Sequence, residues 1–133
     1  MSGGLLARQS ERVYTLLRVI TGLMFALHGA RKLFGFPDGH MPPVGSQLWI
    51  GGVIELVSGA CVFLGFATPI AGLVASGTML VAYVQFHWMF QLGIELIPLS
   101  NRGELALLYC LVFLLIACRG GGALSIDGWL QRP

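Results

Sequence analysis

From Leu56 to Ile94, thirty-nine consecutive residues, the chain carries no Asp, Glu, Lys or Arg. An α-helix crosses a hydrocarbon core of ~30 Å with about 20 apolar residues. The run is therefore roughly twice what one crossing needs, and Thr68-Pro69 divides it. Proline suits the first turn of a helix, where the N–H it lacks would have no partner, and Thr before it suits the N-cap. The pattern predicts one span ending near Phe66, a tight turn, and a second span from Pro69.

The rest of the chain agrees. Charged residues make up 11% and hydrophobic residues 56%, whereas a soluble domain carries about 25% charge. The expected class is all-α and integral to the membrane. At 133 residues the chain has room for one domain, residues 1–133, and its dispersed net charge of +2 offers nucleic acid no footing. Arg8, Glu11 and Arg12 precede the first apolar run, so that run reads as a retained anchor and not a signal peptide. Cys61, Cys110 and Cys118 lie apart in apolar runs with no Cys-x-x-Cys. They read as small buried hydrophobes, and no metal site is expected.

Four spans are predicted, over residues 13–34, 47–66, 69–90 and 101–119, forming one four-transmembrane-helix bundle. Ser10 and Ser46 are the expected caps of the first two. Asn101 and Glu104 have capping-box spacing at the fourth. The Pro- and Gly-rich stretch 36–45 cannot cross lipid, because its backbone would be unpaired there. Tyr14, Trp49, Trp88 and Trp129 fall at span ends, as an aromatic belt requires. Small residues form stripes that let helices approach: Gly22 with Ala26, Gly51 with Gly59 across Glu55, and Gly72 with Ser76. Arg8, Arg12, Arg119 and Arg132 stand on the side of the termini against Arg31, Lys32 and Arg102 on the other. By the positive-inside rule the termini are cytoplasmic, in a bacterial inner membrane. A cysteine at Ser2 should then resist an impermeant thiol reagent, and one at Gly39 should react.

Ionisable groups inside a bilayer are costly, which makes each a functional candidate. Glu55 is the sharpest, a lone carboxylate inside the second span. His28 lies about six residues before the loop-side end of the first span, and Glu55 about eight after the loop-side end of the second. Antiparallel helices would set both ~9–12 Å below one membrane face. Tyr83, Gln85 and His87 reach the same half from the third span, and Glu104 from the fourth. Arg31 and Lys32 share the face of His28 at i+3 and i+4. The opposite half offers mainly Arg18, which either snorkels to the interface or pairs with Glu55. A purely structural reading remains for Glu55, as a lock with Arg18, Arg31 or Lys32. His28 and His87 can equally be satisfied hydrogen-bonding residues.

The stretch Leu17-Arg18-Val-Ile-Thr-Gly22-Leu-Met-Phe25-Ala-Leu-His28-Gly29-Ala-Arg-Lys32-Leu-Phe34-Gly35 resembles the opening signature of DoxX-like membrane proteins. Gly51-Gly52-Val-Ile-Glu55-Leu, Gly65-Phe-Ala-Thr68-Pro69, Asn101-Arg-Gly-Glu104 and Gly120-Gly-Gly-Ala-Leu-Ser125-Ile-Asp127 fit its later elements. The resemblance implies a four-helix fold and redox company. Some relatives are similar to the membrane subunit of a thiosulfate:quinone oxidoreductase, and others are linked to oxidative-stress systems. The positions it marks are His28, Lys32, Glu55 and Glu104.

The leading expectation is a quinone-binding, or similar isoprenoid-binding, subunit beside a partner oxidoreductase. His28, Lys32, Glu55, Tyr83 and His87 would bind the cofactor, while Glu55, Glu104 and His28 would move protons. The sequence has no nucleotide, flavin or iron–sulfur motif, so electrons would come from the partner. A b-type haem with His28 and His87 as axial ligands is the second class. The third is a scaffold or homo-oligomer without chemistry. Transport ranks fourth, since four short unbroken helices offer little alternating-access machinery.

Overall fold

The computed structural model of the chain describes residues 4–133, so the labelling position Ser2 lies outside the described residues. In chain order the helices are α1 (Leu5–Arg8), α2 (Ser10–Phe34), α3 (Gln47–Leu64), α4 (Thr68–Ala82), α5 (Glu104–Arg119) and α6 (Ile126–Leu130). A π-helical segment, Tyr83–Trp88, continues α4, and a 3₁₀ turn, Gly93–Leu96, precedes α5. The expected break at Thr68-Pro69 is present, and residues 36–45 contain no helix.

This is an all-α integral membrane protein. Among the described residues three helices are long and apolar enough to cross a bilayer: Ser10–Phe34, Gln47–Leu64 and Thr68–Trp88. The sequence predicted four. Helix α5 has 16 residues, and at 1.5 Å per residue it reaches about 24 Å, short of a ~30 Å core. Large apolar side chains such as Leu16, Ile20, Leu73 and Leu108 point outward, as a lipid-facing surface demands.

The structure corrects the expected ends in four places. Ser10 lies inside a helix that begins earlier than residue 13, with Gln9 at the cap and no side-chain bond. Glu11 and Arg12 continue the helix easily once it has left hydrocarbon. Ser46 does cap α3, accepting from Trp49 N at 3.3 Å. Thr68 is not the cap of α4, because Ala67 takes that place. Asn101 does not cap α5 either: Gly103 does, and the Asn101 Oδ1 accepts from Gly103 N at 2.8 Å. The fourth correction is Tyr14, expected in the aromatic belt but only 3% exposed. Its hydroxyl donates to the Gly120 carbonyl, and the Arg119 guanidinium lies 4.2 Å over its ring.

Helix α2 packs mainly on α3, and α4 on α5. The first pair meets through glycine. A Cβ at Gly22 would stand 2.4 Å from Phe63 N, one at Gly29 2.4 Å from Leu56 N, and one at Gly59 2.5 Å from Ala26 N. Only a hydrogen fits between backbones that close. Of the expected stripe, Gly51 has no neighbour within 4 Å, and Gly52 takes the contact instead. Gly72 meets the backbone of Phe113 and Ala117, and Ser76 donates to the Cys110 carbonyl at 2.8 Å. Aromatic rings join α2 to α5, with Phe25 and Phe113 centroids 4.6 Å apart and Phe25 and Tyr109 5.7 Å apart.

Candidate functional site

The close crossing of α2 and α3 creates the site. A Cβ at Gly52 would stand 2.7 Å from the Lys32 Cβ. The missing side chain thus gives the lysine stem a groove across α3, and one turn further on the stem reaches Glu55. The Lys32 Nζ lies 2.6 Å from Glu55 Oε1. The glutamate is 3% exposed, and its Oε2 has no hydrogen-bond partner. Glu55 therefore faces inward and pairs with α2, the geometry that the cost of a lipid-exposed carboxylate demands.

Beside this pair lies a partly open cavity of about 310 Å³ bordered by α2, α3, α4 with its π-helical end, α5 and the loop before it. Phe25, Met79, Phe86 and Ala106 give it apolar walls, and His28, Lys32, Glu55, His87, Arg102 and Tyr109 bring polar groups into them. The Tyr109 hydroxyl is buried without a partner, and the His28 ring meets the Tyr109 ring edge-on at 6.1 Å. The π-helical turn brings in Phe86 and His87. Met89 N donates to Val84 O at 2.8 Å, a five-residue step that rotates the end of the helix relative to α register. Toward the loop, a second hollow of about 460 Å³ is lined by His28, Arg31, Lys32 and His40.

Two of the expected residues are held elsewhere. Tyr83 is tucked under the loop before α5, where its hydroxyl accepts from Asn101 Nδ2 at 3.2 Å and its ring occupies the space beside Gly103. Glu104 is exposed as the first residue of α5 and does not line the cavity. Arg31 turns away from Glu55 to Asp38 in the loop, at 2.8 Å. Partial desolvation of Asp38 works against its ionisation, but the hydrogen bonds from Arg31 and the His40 N–H prevail and hold its carboxyl below the usual range. Sequence reasoning missed Tyr109 and the wall position of Arg102. Tyr109 carried a signal, since it is a phenol in an apolar span about one and a half turns beyond Glu104.

The half nearer the termini is not sparsely polar, as the sequence suggested. Arg18 is 1% exposed and neither snorkels nor pairs with Glu55. It donates to the carbonyls of Val62 at 2.6 Å, Phe63 at 2.8 Å and Leu124 at 2.7 Å, so it caps the C-terminal end of α3 and ties it to the segment before α6. Asp127 on α6 caps the next helix, its oxygens accepting from the N–H groups of Ala67 and Thr68 at 2.8 Å each. Desolvation opposes the charge on Asp127. The Thr68 and Ala67 bonds and the nearby Arg18 outweigh it, and the carboxyl stays below the usual range. This second cluster bonds mainly to backbone groups, though Arg18 Nε and Thr68 Oγ1 are buried without a partner there, as Glu55 Oε2 and the Tyr109 hydroxyl are in the other half.

A family model described as DoxX matches residues 13–88, more than half of the chain. The chain belongs to the DoxX family. The matched segment contains α2 from residue 13 onward, α3, α4 and the π-helical turn, hence Lys32, Glu55 and both cavity histidines of this DoxX protein. It is similar to an uncharacterized protein of Haemophilus influenzae, 39% identical over 84% of this chain and 85% of the relative. It is also similar to a Bacillus subtilis protein named "Putative oxidoreductase CatD", 30% identical over 88% of this chain and 86% of that one. No solved structure matches the chain.

Proposed function

We propose that this DoxX protein is the membrane subunit of a redox system, binding a quinone or similar isoprenoid beside Glu55 and working with a partner oxidoreductase. The observation that carries the reading is the cavity of about 310 Å³ with apolar walls, whose lining includes Glu55, a carboxylate only 3% exposed. Small-molecule sites are of this kind, mostly apolar, about 300–1,000 Å³, with a few polar groups that set orientation. The residues fit a quinone: Phe25, Met79 and Phe86 would hold a flat ring, while Tyr109, Lys32 and Arg102 would supply donors for its oxygens. When bound, it would supply reversible electron and proton uptake.

The chain's own part is to bind, orient and move protons. Lys32 fixes one oxygen of Glu55 and leaves the other to hold or release a proton. His28, which lines both the cavity and the loop-side hollow, connects Glu55 to the outer face. This replaces the expected route through Glu104. The similarity to a protein named as an oxidoreductase supports redox company, and the electrons would come from a partner.

The same reading includes α5 as a fourth crossing, with the bilayer thinned locally around a helix of 16 residues. The termini are on the cytoplasmic side of a bacterial inner membrane, and the partner is a second subunit or a further copy of the chain. Extraction and mass spectrometry of lipids from the purified protein test the proposal. A quinone should co-purify with the protein and be depleted in Ala106→Leu, which fills the cavity. No quinone in either sample would reject the reading, and a Soret band from the purified protein would instead favour b-type haem at His28 and His87.

A further inference from the structure

Two glycines take no part in the helix crossings. A Cβ at Gly51 on α3 or at Gly77 on α4 would meet nothing within 4 Å, although glycine inside a helix is destabilising relative to alanine. Both line a hollow of about 260 Å³ between α3 and α4, which pack less closely than α2 on α3 or α4 on α5. This hollow shares Lys32, Leu48, Glu55, Ala82 and Phe86 with the cavity, so the two adjoin along that border. Ile50, Ile54 and Val81 give it apolar walls. The Thr78 hydroxyl donates to the Val74 carbonyl at 2.8 Å and needs no further partner. Leu48, Ile50, Val81 and Phe86 are about half exposed, so the hollow opens on the lipid-facing surface. At its loop-side end Gln47 Nε2 donates to Gln85 Oε1 and bridges α3 to the π-helical end of α4. Gly77 lies near the middle of the span Thr68–Trp88, so the hollow runs from the cavity toward the bilayer centre.

The cavity, at about 310 Å³, is at the foot of the range of about 300–1,000 Å³ for a drug-sized ligand. It takes a ring, and a tail of several isoprene units has to leave it. The loop-side hollow offers such a tail His28, Arg31, Lys32 and His40, polar groups that an apolar chain would strip of water. The α3–α4 hollow is apolar beyond the Lys32–Glu55 pair and the Gln47 bridge. We infer that an isoprenoid tail leaves the cavity past Leu48 and Phe86 and lies over Gly51 and Gly77, so that the ligand enters sideways from the bilayer. The inference rests on the quinone reading above and adds the seat of the tail.

Gly51→Leu and Gly77→Leu test this. Each fills the hollow from one helix, starts from a Cβ that meets nothing, and replaces glycine by a better helix former. Isothermal titration of the purified full chain in detergent uses a tailless benzoquinone and the same ring carrying three isoprene units. Each variant should bind the tailed probe about tenfold or more weakly than wild type does, the loss of roughly two buried CH₂ groups. Affinity for the tailless probe should be unchanged. Partitioning of the probe into detergent is common to wild type and variant, so their ratio isolates the hollow. If one variant fails to fold, the other, on the opposite helix, carries the test. Unchanged affinity for the tailed probe, or equal weakening of both probes, would overturn the inference and leave the quinone reading intact. Loss of a co-purifying phospholipid from the variants, with both affinities unchanged, would assign the hollow to an acyl chain and overturn the inference too. Binding of neither probe to wild type would overturn both readings.

Discussion

Lys32 Nζ and Glu55 Oε1 lie 2.6 Å apart across the α2–α3 crossing, with the side chain of the lysine 28% exposed and that of the glutamate 4%. The pair is asymmetric: one member reaches the cavity mouth, and the other is sealed in the protein. Removing the lysine should therefore cost more than the pair contributes. Lys32→Met strands a buried carboxylate and should destabilise the protein by about 3 kcal/mol or more. The double variant Lys32→Met/Glu55→Leu should recover much of that loss. Thermal unfolding in detergent measures both, and additive losses would show that the two residues do not interact.

Glu55→Gln separates a proton carrier from a lock. The amide keeps the shape and an acceptor for Lys32 but cannot titrate. The variant should accumulate and assemble at the wild-type level while quinone-linked activity with the partner is lost. Reduced abundance together with a normal turnover in the surviving complex would assign Glu55 a structural role only.

Asp127 makes a pH-dependent contribution. Its carboxyl sits lower in the folded protein than in the unfolded chain, once the Thr68 and Ala67 bonds and Arg18 have outweighed desolvation. A depressed folded pKa gives stability that is complete above the unfolded value of ~3.9. That stability is lost as pH falls through the lower folded value. Asp127→Ala should cost about 1–2 kcal/mol at neutral pH by uncapping α4. The gap in melting temperature between wild type and variant should close below about pH 4. A gap that is constant with pH would mean that the charge plays no part.

Glycine positions on α2 and α3 should divide sharply. Gly22→Ala and Gly59→Ala place a Cβ 2.4 and 2.5 Å from backbone nitrogen of the opposite helix. Backbone cannot rotate away, so each should cost about 1–3 kcal/mol. Gly51→Ala meets nothing within 4 Å and should be neutral or slightly stabilising. Melting temperatures of the three variants check the contrast.

For orientation, Ser2→Cys should be protected from an impermeant thiol reagent in intact cells, and His40→Cys should be labelled, after replacement of Cys61, Cys110 and Cys118. His40 is preferable to Gly39, whose φ of 77° suits glycine. The reverse pattern would place the termini outside.

The sequence by itself determined the solvent in which this chain folds and the order of its helices. A charge-free run broken at Thr68-Pro69, and polar loops that cannot enter lipid, admit few other arrangements, because transfer free energy and helix termini are local properties of the chain. Depth along a helix is equally local, at a fixed rise per residue. Hence Glu55, His28 and His87 were legible as one layer. Azimuth and partner choice were not. Whether Glu55 meets Lys32 or Arg18 depends on how closely α2 and α3 approach, and Gly52 settles that by giving the lysine stem its path. Tyr83 and Glu104 share that depth yet miss the cavity, since Tyr83 is held against Asn101 and Gly103 and Glu104 opens α5 on an exposed face. The capping of α4 by Asp127, some 60 residues away in the chain, lay further still from anything local. Only the tertiary structure could decide it, because orphaned backbone N–H groups donate to whichever carboxylate the folded chain brings to them.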